Sequence, residues 1–175
     1  ATPVSVLYDE KGVYMDTLDT LCPDILLIDY EIFYDLPMPF FAAGAIDALS
    51  KYYEAAAYCE NTEQPDAYAL FMLQTIKRSY MRLKEIIMQK WLRPDLLVKK
   101  ELTDIIITEA GQLACMARYT VTAGLAHALA HCVTASLGAK EFLHGEHVAA
   151  GLIIQEQYLK NAERLSEIES LAAIM

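Results

Sequence analysis

The sequence predicts a mainly α protein with a short β fringe at its N-terminus. Two contrasts carry that prediction. Up to residue 38 the apolar residues alternate or run in short blocks, whereas from Phe40 onward Ala, Leu and Tyr recur at helical spacing. Between the two textures lies Leu36-Pro37-Met38-Pro39, whose prolines mark the one internal boundary. The chain therefore divides into strands over 1–38 and a helical body over 39–175.

Val4-Ser5-Val6-Leu7-Tyr8 alternates and is β-branched, so it reads as a strand. Asp9-Glu10-Lys11-Gly12 is a turn, and Val13 to Leu18 reads as a second short strand. Pro23-Asp24 interrupts the chain before the apolar run Ile25-Leu26-Leu27-Ile28, which reads as a strand buried on both faces. The first helix is expected from Phe40 to about Asn61. Glu63-Gln64-Pro65-Asp66 opens a second, with Pro near the first turn, where a missing N–H costs nothing. That helix should reach about Lys90. Pro94-Asp95 opens a third, to about Arg118. A fourth follows Tyr119-Thr120 and ends near Gly138, a fifth runs from His144 to about Lys160, and a sixth begins at Ala162.

Composition narrows the function classes. The apolar content of 55% can build a sizeable core in 175 residues. A net charge of −10 argues against a nucleic-acid partner, which needs a basic face. No apolar run reaches the ~20 residues of a membrane span, and no signal peptide is visible. Cys22, Cys59, Cys115 and Cys132 form no CxxC pair and read as buried free thiols in a reducing, cytoplasmic setting. The chain opens in a strand-like run and stops at Met175 inside a helical pattern. It is therefore expected to be the middle of a longer protein.

All four histidines fall between residues 127 and 147. His127 and His131 stand at i and i+4, on one helix face, and His144 opens the next helix. If those helices form an antiparallel hairpin, His127 and His144 can converge. Asp47, inside the small apolar run Ala43-Gly44-Ala45-Ile46-Asp47-Ala48-Leu49, is costly to bury unpaired, and a cation would offset that cost. Spacing alone leaves other readings open: a packed or solvated His pair, a polar helix start at 144–147, and an Asp47 that caps or salt-bridges. Lys51 and Glu54, one and two turns beyond Asp47, read as a surface pair.

Three segments carry a resemblance. Ala43 to Glu54, Ala123 to His131 and His144 to Gly151 are similar, in order, spacing and flanking residues, to the metal-site segments of the glycerol dehydrogenase branch of the iron-containing alcohol dehydrogenase superfamily. Thr2 to Tyr8 resembles that family's strand beside the nicotinamide, and Asp24 to Asp29 the strand before its helical domain, so the match covers essentially the whole chain. The resemblance implies the helical metal-binding domain of the dehydroquinate synthase-like, glycerol dehydrogenase fold, with residues 1–38 left from a dinucleotide-binding domain. It implies a divalent metal on Asp47, His127 and His144, and Thr2, Val4 and Tyr8 at the nicotinamide-ribose end of an NAD(H) or NADP(H) site. Where the iron-using branch has a further His four residues after the Asp, this chain has Lys51, which fits the zinc-using branch. The His127–His131 spacing follows the iron branch instead.

The resemblance further implies a small alcohol or polyol as substrate and a homo-oligomer. His131, one turn from His127, is a candidate proton relay, or else a packed neighbour. The family's Gly-rich phosphate loop has no counterpart among the seven dispersed glycines, so the segment alone is not expected to be a competent dehydrogenase. A hydroxycarboxylate or 2-oxo-acid reductase of the same superfamily, and a non-catalytic helical metal-binding domain, are the alternatives.

Overall fold

A computed structural model describes residues 4–11, 13–20, 24–25, 27–88, 99–117, 124–137 and 142–174. Seven helices and a two-stranded sheet make up these residues: β1 (Val4–Tyr8), β2 (Tyr14–Asp19), α1 (Glu31–Tyr34), α2 (Met38–Asn61), α3 (Ala67–Ile86), α4 (Lys99–Ala117), α5 (Leu125–Leu137), α6 (His144–Leu159) and α7 (Ala162–Ile174).

The hairpin is antiparallel, with Val4 opposite Asp19 and Tyr8 opposite Tyr14. Its turn is held by Asp9, whose Oδ1 accepts the backbone N–H groups of Lys11 and Val13, both at 2.8 Å. The third expected strand does not form. Ile25, Leu27 and Ile28 are exposed, Leu27 at 89%. No strand among the described residues pairs with this run, and a lone strand leaves its backbone groups without partners.

The body is organised around α2. Pro37 precedes the helix with an extended backbone and Pro39 falls in its first turn, which fixes its start at the expected boundary. Phe41, Ala45, Ala48, Leu49, Tyr53 and Ala55 are buried around much of its circumference, the pattern of a helix surrounded by others. Helices α3, α4 and α6 pack on it. Ile76, Leu83, Ile106, Leu113, Ala126, Leu152, Ile168 and Leu171 complete one continuous core from six helices. Burying a side chain such as Leu49 contributes about 1.5–3 kcal/mol.

The helix limits follow local chemistry. Asp66 caps α3, its Oδ1 accepting the Tyr68 N–H at 3.0 Å. Glu146 accepts the Leu143 N–H at 2.6 Å and closes the first turn of α6. Lys160 ends α6 in the left-handed region, φ 57°. The short α1 was not foreseen. It is tied to α4 through Tyr34 on Asp104 and Tyr30 on Thr108, both at 3.1 Å. Cys59 is a buried free thiol as expected, but Cys132 is exposed, because it faces outward on α5 one residue beyond His131. Among the described residues no helix is long and apolar enough to cross a membrane.

Candidate metal centre

Three helices bring the chemistry together. On α2, Asp47, Lys51 and Glu54 recur at four- and three-residue steps and so share a face. On α5, His127 and His131 share another. His144 is the first residue of α6, which packs against both α2 and α5. Gly145 makes that approach possible: a Cβ there would stand 1.9 Å from the Ala43 carbonyl oxygen. Without a side chain at 145 the start of α6 touches the backbone of α2, and His144 arrives beside Asp47.

One ligand atom from each of Asp47, His127 and His144 lies within 4.8 Å of the others. Asp47 Oδ1 is 3.1 Å from His127 Nε2 and 4.0 Å from His144 Nε2. The three residues singled out in sequence therefore do meet in space. His131 stands beside them, its ring centroid 6.5 Å from that of His127 and 5.9 Å from that of His144. Its close neighbour is Tyr14 of β2, with ring centroids 4.3 Å apart.

His127 is anchored from behind. Its backbone N–H donates to Glu54 Oε1 at 2.9 Å and its ring Nδ1–H to Glu54 Oε2 at 2.6 Å. The expected surface pair is thus corrected, since Glu54 is only 4% exposed. Gly124 leaves the room: a Cβ there would meet the Glu54 carboxylate at 2.5 Å. Lys51 is half-buried and turns toward the same cluster. Its Nζ lies 3.1 Å from Asp47 Oδ1 and 2.6 Å from His127 Nε2. The seven-residue step from Asp47 to Glu54 was the signal in sequence, because it returns a side chain to the same helix face.

The electrostatics follow from this packing. Burial works to raise Asp47, but the hydrogen bond from His127 and the Lys51 charge prevail and hold its carboxyl well below the usual range. For His127, burial disfavours the charged ring while Asp47 and Glu54 favour it, and the balance is upward. Nε2 serves one of two contacts at a time, giving a proton to Asp47 at 3.1 Å or accepting from the Lys51 ammonium at 2.6 Å, because an ammonium has only donors. Burial pushes His131 and His144 down, which favours the neutral ring in both. His147 turns away and packs edge-on against Phe142 at 5.8 Å.

Of the three residues expected at the cofactor, Tyr8 lies near the centre. Burial and the Asp47 charge both raise its hydroxyl. Val4 pairs with Asp19 at the other end of the hairpin, and Thr2 lies outside the described residues. Tyr14, on His131, was read in sequence only as a strand residue.

Comparison with known proteins gives a consistent picture. No protein-family model matches the chain. It is 25% identical over 176 residues to hydroxycarboxylate dehydrogenase A of Escherichia coli, covering 95% of this chain and 48% of that protein. It is 29% identical over 165 residues to glycerol dehydrogenase of Thermotoga maritima, covering 86% and 42%. A probable glycerol dehydrogenase from Sinorhizobium meliloti shares the fold with a TM-score of 0.74 and 25% identity, over 97% of this chain and 48% of that one. The chain spans about half the length of the curated relatives it matches. In sequence and in fold it is similar to oxidoreductases of the glycerol dehydrogenase type, its helices corresponding to the helical domain of that fold.

Proposed function

We propose that this chain is the metal-binding part of a nicotinamide-linked alcohol dehydrogenase that acts on a small alcohol or polyol. The observation that carries the reading is the convergence of Asp47, His127 and His144 from three helices, with ligand atoms within 4.8 Å of one another. One carboxylate oxygen and two imidazole nitrogens form a donor set suited to Zn²⁺ ahead of Fe²⁺, with a fourth position open. The Glu54 contact on His127 is the outer support that histidine ligands need. A divalent ion held by Asp47, His127 and His144 would supply Lewis acidity toward a substrate hydroxyl, and a bound nicotinamide would supply the hydride acceptor.

The chain's own residues supply placement and charge. Asp47, His127 and His144 hold the ion. Glu54 fixes the His127 ring so that Nε2 faces Asp47 and His144. His131, its ring tilted against Tyr14 with centroids 4.3 Å apart, is positioned to take the hydroxyl proton. The resemblance assigns Thr2, Val4 and Tyr8 to the nicotinamide-ribose end of an NAD(H) or NADP(H) site. In this reading residues 1–38 belong to a dinucleotide-binding domain and 39–175 to the helical domain of a cytoplasmic homo-oligomer. A 2-hydroxy acid is the second candidate substrate, favoured by the cationic Lys51 beside the centre and by the hydroxycarboxylate dehydrogenase relative.

Metal content of the full-length protein, followed by a panel of glycerol, 1,2-propanediol and 2-hydroxy acids with each nicotinamide, tests this. Stoichiometric zinc or iron, lost in Asp47→Ala and His127→Ala, is expected. Full metal retention in both variants removes the metal site, and bound metal without turnover of any panel member removes the enzyme reading in favour of a metal-binding domain.

A further inference from the structure

Lys51 Nζ touches two acceptors at once, 3.1 Å from Asp47 Oδ1 and 2.6 Å from His127 Nε2. Those two atoms are themselves 3.1 Å apart. With its Nδ1–H given to Glu54, His127 has Nε2 left either to donate a proton to Asp47 or to accept from Lys51, and in the state set by the shorter Lys51 contact Asp47 and His127 present two lone pairs to each other. Two acceptors at that separation repel unless a cation bridges them, and the ammonium does so. Nε2 has one lone pair, which serves one partner at a time, an N–H of Lys51 or a metal ion.

From this arrangement we infer that Lys51 is a built-in competitor for the metal site. It rests on the metal reading above and goes beyond it. Without metal, the ammonium neutralises Asp47 and keeps His127 and Asp47 together. For a divalent ion to bind, Lys51 must leave Nε2. The Lys51 side chain is 23% exposed, so its head has a way out to solvent along its own flexible stem. Lys51 therefore lowers the affinity of the site and preserves its shape when empty.

The test uses the full chain, stripped with a chelator and titrated with zinc against a competing indicator. Lys51→Met is expected to bind zinc about ten- to a hundredfold more tightly, the scale of lost charge-assisted hydrogen bonds. Metal-free Lys51→Met should melt lower than wild type and gain more from zinc. Mere long-range repulsion would also tighten binding, so a second readout is needed: the rate at which an amine acylating reagent modifies Lys51, followed by mass spectrometry. Direct competition requires that rate to rise on zinc saturation. Equal zinc affinities, or Lys51 labelling indifferent to zinc, overturn the inference while the metal site stands. If wild type and Lys51→Met both fail to bind zinc, or Asp47→Ala binds it as wild type does, the metal reading falls and the inference with it.

Discussion

Glu54 takes both polar hydrogens that His127 has to give on its inner side, the backbone N–H at 2.9 Å and the ring Nδ1–H at 2.6 Å. A buried carboxylate that binds one residue twice fixes both its position and its ring angle. Replacing it should loosen the ring without removing a ligand. Glu54→Gln is expected to weaken zinc binding about 10- to 100-fold, the usual effect of losing the outer partner of a ligand. A competition titration measures this, and unchanged affinity would show that Glu54 serves packing alone.

His144 and His131 are close in space but should separate in function. His144 Nε2 lies 4.0 Å from Asp47 Oδ1, whereas the ring of His131 packs on Tyr14. His144→Ala should cut zinc affinity by at least about tenfold, in keeping with the loss of one ligand of three. His131→Ala should keep the metal and lower kcat of the full-length enzyme by about 10²-fold, the low end of acid–base contributions. The reverse pattern would exchange their roles.

Much of this candidate centre was legible in the sequence because its residues come from helices with clear apolar periodicity. Asp47 stood out as a charge in a small apolar run, and His127 and His144 as residues on consecutive helices. Lys51 and Glu54 did not, because on a helix seen alone a Lys and a Glu three residues apart look like a solvated pair. The burial of Glu54 depends on Gly124, just before α5, which admits its carboxylate, and on the bonds to His127, which span 73 residues of sequence. The Ile25 to Ile28 run failed as a strand for a similar reason: a strand is defined by its neighbour, and no described residue supplies one.

A second polar cluster, gathered on Glu167 of α7, sets a pH dependence of its own. Tyr53 donates to Glu167 Oε1 at 2.5 Å, and Tyr80 and Lys84 also bind this carboxylate. Burial works to raise Glu167, but Lys84 and the two hydroxyls prevail and hold it below its ordinary value of 4.5. A depressed carboxyl stabilises the fold fully above its unfolded pKa and loses that contribution as pH falls through the folded one. Wild type should therefore lose melting temperature below about pH 4.5, and Glu167→Gln should lose less over that range. At pH 7 the variant should be less stable by about 1–2 kcal/mol. Parallel acid slopes in melts of the two proteins would exclude this cluster as the cause.

Gly145 joins the fold to the chemistry. An added Cβ would fall 1.9 Å from the Ala43 carbonyl oxygen, and backbone cannot yield as the tip of a side chain can. Gly145→Ala must push the start of α6 away from α2, and His144, one residue earlier, moves with it. Overpacking of this kind costs about 1–3 kcal/mol, although alanine has the better helix propensity. Propensity and packing therefore predict opposite signs, and the contact distance decides for packing. Gly145→Ala is expected to melt lower and to bind zinc more weakly. Gly44→Ala, at an exposed position of α2 with nothing within 4 Å of the new methyl, is expected to be neutral or slightly stabilising. Paired thermal melts and zinc titrations of the two variants check this, and a Gly145→Ala protein as stable as Gly44→Ala would mean that α6 does not start against α2.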